Sequence, residues 1–247
     1  MSTSQTSDSD SSQKAPTQES DKKSLSQVIG GWLRKHYLSL INSLLAIYVF
    51  MPFLAPVFMK TGLPNMAEPI YKFYGIFCHQ LAFRSFFLFG QQPVYPRELA
   101  GLEKWLSYEK VSGNDGEDLP AASAFRGNAK LGYKVALCQR DLAIYASLLA
   151  FGLIFGLTRY KIKPISWFVW IFLGLVPIGL DGFSQLLSQS GLPFFSWLPL
   201  RESTPVLRLI TGGLFGWFTG WFGVPSLEEM INPKPKRLLT VIGEENK

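Results

Sequence analysis

Residues Val135–Leu157 read VALCQRDLAIYASLLAFGLIFGL, and the fold turns on how they are read. Beyond Asp141 the run carries no charge, and a helix of about 20 such residues crosses the roughly 30 Å hydrocarbon core of a bilayer. Its first few positions are different. Cys138, Arg140 and Asp141 stand close together at one end of the run. Charges at membrane depth are costly and persist where they are paired or used. The stretch therefore predicts a transmembrane helix with chemistry at one end.

Three further runs are of the same kind: Tyr37–Met59, Ile165–Leu187 and Pro205–Val224. Pro52, Pro56 and Pro177 fall inside them, which membrane helices tolerate better than soluble ones. Gly212, Gly216 and Gly220 recur at every fourth position, and Gly152 and Gly156 form a shorter stripe. Such small residues let helices approach closely. Composition agrees, because the chain is 47% hydrophobic and only 17% charged, against about 25% charged in soluble domains. The net charge of +6 comes from basic residues beside the apolar runs. They are not interleaved as a nucleic-acid stripe would be, so no nucleic-acid partner is expected. Two cysteines cannot build a disulfide scaffold.

The expected fold class is all-α, a polytopic membrane helix bundle with about four transmembrane helices plus an interfacial or re-entrant helix. That fifth segment is Glu68–Gly90, aromatic but interrupted by Lys72, His79 and Arg84. The bundle should occupy 27–231, with 91–134 as a long extracytoplasmic loop. Residues 1–26 read as a disordered tail without the apolar core of a signal peptide, and 232–247 as a basic tail. Arg34 and Lys35, then Arg159, Lys161 and Lys163, then Lys234, Lys236 and Arg237 flank the runs. Counting them places both termini in the cytoplasm. The long loop is basic too, but long translocated loops weigh little in that rule.

On this topology the unusual residues gather at the outer end. FCHQLAFRSFF, Phe77–Phe87, places a cysteine beside a histidine there. Cys138 and Asp141, three apart, share a helix face. Asp181 is followed one turn on by Ser184 and Gln185, Arg201 and Glu202 lie in the next connection, and Arg208 sits one turn into the last run. Thr204 and Pro205 read as its N-cap and first helical residue. Three chemistries remain open. Cys78, His79, Cys138 and Asp141 are ordinary ligands for a tetrahedral metal such as zinc. Cys78 and Cys138 can instead form a disulfide outside the cytoplasm. Arg201, Arg208 and the helix start can hold an anion. Against these stands a purely structural network of Arg140, Asp141, Asp181 and Arg208, with Arg208 as the expected partner of Asp181 and the cysteines as small buried hydrophobes. His36, among basic residues, reads as interfacial.

The motifs CHQLAFRSFFLFG, LCQRDLAIYASLLAFGLIFG, LDGFSQLL and RESTPVLRLITGGLFG resemble those of a prokaryotic integral-membrane family of unknown function. That family carries Cys-His-Gln with Arg-Ser-Phe, Cys-x-Arg-Cys, Leu-Asp-Gly-x-x-Gln and Arg-Glu-Ser-Thr. The resemblance covers about 71–90 and 137–223. It implies a multi-pass protein of a prokaryotic plasma or internal membrane, and extends the candidate anion or substrate contacts to Arg84, Ser85, Arg140, Gln185, Arg201, Ser203 and Arg208. Asp141 stands where the family has its second cysteine, Pro205 where it has asparagine, and the loop 91–134 is longer than usual.

The leading expectation is a polar, metal-capable pocket at the extracytoplasmic face, acting on an anionic membrane lipid or lipid-linked substrate. Arginines would neutralise charge and Asp181 or Glu202 would serve as catalytic base. The other class is a non-catalytic assembly or accessory subunit with another membrane protein as partner, held by a structural network or a Cys78–Cys138 disulfide.

Overall fold

The computed structural model describes residues 25–190, 192–195 and 197–233. Most of the tails expected at 1–26 and 232–247 lies outside the described residues. The chain divides into two compact units, Met1–Lys35 and His36–Lys247. The first contributes the start of helix α1, Leu25–Phe50.

A single turn of 3-10 helix at Met51–Phe53, containing Pro52, follows α1 and leads into α2, Leu54–Lys60. Helix α3 is Pro64–Gly75. Strand β1, Ser85–Leu88, comes next, then the short helices α4, Tyr108–Ser112, and α5, Leu119–Ala124. Strands β2, Gly127–Asn128, and β3, Gly132–Cys138, lead directly into α6, Gln139–Leu157. Helix α7, Trp167–Ser188, and α8, Pro205–Ile231, complete the bundle. Pro177 offers no N–H to the preceding turn, and α7 widens to a π-helical course over Trp170–Leu175, just before it.

Among the described residues, three helical stretches are long and apolar enough to cross a membrane: Ser26–Lys60, Gln139–Leu157 and Trp167–Ser188. The fourth run does form a helix, α8, of 27 residues, about 40 Å at 1.5 Å per residue. Its Gly, Thr and Trp residues dilute its hydropathy, and it is not among the three. The glycines serve packing against α6. A Cβ on Gly212 would stand 2.7 Å from the Arg140 carbonyl oxygen, and one on Gly220 3.0 Å from Phe151 Cβ. At the end of the bundle away from the cysteines, the Tyr37 hydroxyl donates to Glu228 at 2.7 Å and the Trp221 indole to the Lys163 carbonyl at 3.1 Å.

The all-α expectation needs correcting. A three-stranded antiparallel sheet in the order β1-β3-β2 lies between α3 and α6. Residues 135–138, read above as the start of a membrane span, are the end of β3. Val135, Ala136 and Leu137 are fully buried in it, so the strand shows no alternation and merges in hydropathy with the helix that follows. Nor is Glu68–Gly90 one helix. It breaks at Gly75 and ends as strand β1.

The segment 91–134, expected as a long, partly helical loop, carries the two short helices α4 and α5 and forms a cap. Phe83, Phe87, Tyr95, Tyr108 and Leu131 form its core, with Phe87 meeting Tyr95 edge-on at 5.0 Å between ring centroids. A second cluster joins the cap to the bundle. Ala55 of α2, Tyr71 and Tyr74 of α3 and Leu137 of β3 close around Cys78.

Candidate functional site

Strand pairing brings the two cysteines together. Ser85 lies opposite Cys138 in the β1–β3 ladder, which sets the loop before β1 against the end of β3. Cys138 then caps α6, its sulfur accepting from the Asp141 N–H at 3.5 Å. In the loop, Gln80 adopts a left-handed conformation, with φ of 51°, that costs a side-chain-bearing residue about 1–2 kcal/mol. Its own partners hold it there. Gln80 Nε2 donates to the Tyr71 carbonyl at 2.8 Å, and Lys134 Nζ donates to the Gln80 carbonyl at 2.6 Å. The result is a Gln80 N–H directed at Cys78 Sγ at 3.5 Å.

Cys78 Sγ, Cys138 Sγ and an Asp141 carboxylate oxygen all lie within 4.8 Å of one another. In a tetrahedral site with bonds of 2.0–2.3 Å, ligand atoms sit about 3.5–3.8 Å apart, so small rotamer changes would close this group on an ion. Both cysteines are free thiols and they hydrogen-bond to each other. That bond, ahead of the opposing effect of burial, holds Cys78 below the ordinary thiol value. The same bond, and then burial, push Cys138 well up. His79 is exposed and is not one of the three converging groups, although it lines the same cavity.

That cavity has a volume of about 250 Å³ and is also lined by Arg84, Arg140, Gln185 and Arg208. The arginines are held from behind by two buried carboxylates. Asp181 receives Arg140, Arg201 at 2.9 Å and the Ser203 hydroxyl at 2.8 Å. Glu202 receives Arg208, Arg84 at 2.9 Å, Gln185 at 2.9 Å and Gln189 at 3.2 Å. Arg208 is therefore the partner of Glu202, not of Asp181. Of the arginines lining the cavity, Arg140 has a buried Nε with no acceptor among the described residues.

This arrangement argues against Glu202 as a catalytic base, whereas Asp181 keeps one of about four acceptor sites free. A base must offer a free lone pair at a suitable pKa. Asp181 carries three donors and Glu202 five hydrogen bonds, counting both from Arg84. Burial works to raise the Glu202 carboxyl, but Arg84 and Arg208 together hold it below its ordinary value. Both acids position arginines.

Ser85 also faces elsewhere than expected. It is fully buried, and its hydroxyl donates to the Leu81 carbonyl at 3.0 Å. Arg201 bonds Ser184 at 2.7 Å beside Asp181 and does not line the cavity. Sequence reading missed two residues that shape the site. Gln80 was signalled only as the third letter of the Cys-His-Gln motif. Lys134 looked like one more loop cation, yet it is fully buried and bonds two carbonyls, of Gln80 and of Ser123 at 2.7 Å.

Residues 124–222 match the family profile of a predicted membrane protein, DUF2085. The match takes in Cys138, Arg140, Asp141, Asp181, Glu202 and Arg208, and leaves out Cys78 and Arg84. Over 213 residues, 83% of this chain and all of the relative, the sequence is 27% identical to an uncharacterized protein, MJ1492, of Methanocaldococcus jannaschii. The chain is thus similar to predicted membrane proteins, in keeping with its three apolar helices. No solved structure matches it.

Proposed function

We propose that this is a four-span integral membrane protein whose pocket, on the extracytoplasmic side, holds a divalent metal and receives an anionic group. The observation that carries the reading is one cavity lined by both sets of residues: Cys78, Cys138 and Asp141 converging within 4.8 Å, and Arg84, Arg140 and Arg208 beside them. Three protein ligands leave a fourth position of a tetrahedral zinc ion open, as in sites that bind or activate a ligand. An oxyanion at that position would meet Arg84 and the spare Arg140 Nε–H, so its charge would be shared between metal and guanidinium groups. Orientation rests on the basic flanks of the apolar runs, and counting α8 as a span rests on its length and its packing along α6.

Metal analysis of protein purified without chelator tests this. Zinc at about one equivalent, with loss in Cys138→Ser and a reduced content in Asp141→Asn, supports the site. A metal-free protein two hydrogens lighter than its reduced mass would instead establish a Cys78–Cys138 disulfide and overturn the metal site.

A further inference from the structure

A second cavity, about 510 Å³, runs between α1 and α6 beneath the end of α3. Leu44, Ile47 and Met51 form one wall, and Phe73, Tyr74 and Tyr145 the other parts. The Tyr74 hydroxyl is satisfied, donating to the Tyr48 carbonyl at 2.8 Å, and the Tyr48 and Tyr145 rings meet edge-on with centroids 4.5 Å apart. What remains facing the space is ring and aliphatic surface, suited to hydrocarbon and to little else.

This groove adjoins the polar pocket. Phe77 lines the polar pocket and packs on Phe73 at 5.7 Å and Tyr48 at 6.4 Å, both of which line the groove. On α6, Asp141 lines the polar pocket and Tyr145, four residues on, lines the groove. These two share a face and are separated by about 6 Å along the axis, the reach of a few covalent bonds. Leu63, Met66, Phe73, Ile76 and Phe77, on and around α3, are exposed, as expected of a helix lying in the headgroup boundary.

We propose that the ligand is a membrane amphiphile with an anionic, phosphate-class head in the Arg84–Arg140 pocket and a single hydrocarbon chain in the α1–α6 groove. This deepens the reading of the pocket as an anion site and rests on it. The head alone would meet the arginines, and the chain alone would find only a shallow apolar surface that any bilayer lipid can fill. Joined, the two cavities select molecules carrying both parts.

The test uses the full chain in nonionic detergent and three probes. These are lysophosphatidic acid with head and chain, glycerol 3-phosphate with head alone, and an uncharged monoacylglycerol with chain alone. Lysophosphatidic acid should bind at least about tenfold more tightly than either fragment. Leu44→Trp, at a position 68% exposed where added bulk fills the groove without straining the fold, should erase the advantage over glycerol 3-phosphate and leave glycerol 3-phosphate binding unchanged. Ile47→Trp, 55% exposed, should do the same. Equal binding of lysophosphatidic acid and glycerol 3-phosphate, or no effect of either tryptophan, would overturn the chain site and leave the anion reading standing. Equal binding of lysophosphatidic acid and monoacylglycerol, or no binding of any probe, would overturn the anion reading and the proposal with it. Zinc content measured on the same samples reports separately on the metal.

Discussion

Removing the charge of Glu202 should be the most damaging polar substitution in the bundle. Its side chain is 2% exposed, and its partner Arg208 is 3% exposed. In Glu202→Gln the new amide nitrogen or a single neutral oxygen must face a guanidinium that cannot leave. Breaking a buried pair by deleting one partner costs about 3–5 kcal/mol. The Arg84 half of the interaction is 30% exposed, so solvent screens it and it adds no more than about 1 kcal/mol. Arg208→Met should cost less than Glu202→Gln, since Arg84, Gln185 and Gln189 still satisfy the carboxylate. The double variant removes both charges together. It should be no worse than Glu202→Gln, giving a coupling of about 2–3 kcal/mol. Unfolding by denaturing detergent in mixed micelles, followed by tryptophan fluorescence, gives the four stabilities. If the two single effects add to within about 0.5 kcal/mol, the pair does not interact and the reasoning fails. Acid offers a check of sign. The folded-state value of Glu202 is depressed from 4.5, so its contribution is present above that value and is lost as pH falls through the lowered one.

Two further outcomes follow from the cap. Burial, with Arg126 adding to it, holds Lys134 well below its ordinary 10.5. Between those two values the unfolded chain binds the extra proton, so stability should rise with pH there. Lys134→Met should flatten that rise in thermal unfolding, and an unchanged slope would show that the lysine is not the group responsible. A cysteine introduced at the exposed Glu103 should react with a membrane-impermeant thiol reagent in intact cells. Labelling only after permeabilisation, with the parent protein as control, would reverse the orientation.

Much of the site was legible because membrane depth makes polar residues conspicuous. Asp181 and Arg140 stood out against apolar neighbours, and they pair. Cys138 and Asp141 declared a shared face through their spacing alone. Thr204 and Pro205 read correctly as the start of α8, with Thr204 accepting from the Leu207 N–H at 3.2 Å. The sheet was not legible. β3 is buried on both faces and runs without a break into an apolar helix, so periodicity has nothing to register, and its partner β1 lies some fifty residues upstream. The partner of Arg208 was misread for a related reason. Asp181 and Glu202 are equivalent in a linear reading, and only the folded chain decides which carboxylate reaches the arginine. Lys134 escaped because burial, not sequence context, sets it apart from the other cations of the cap.

Cobalt substitution tests the proposed metal site most directly. Protein treated with chelator and loaded with cobalt(II) should show an intense sulfur-to-cobalt charge-transfer band and the strong visible absorption of tetrahedral geometry, because the ligand atoms of Cys78, Cys138 and Asp141 lie within 4.8 Å of one another. Cys138→Ser should weaken the charge-transfer band, and Asp141→Asn should shift the visible bands while leaving it in place. A weak spectrum of octahedral form with no sulfur band, identical in the parent and in Cys138→Ser, would contradict the site.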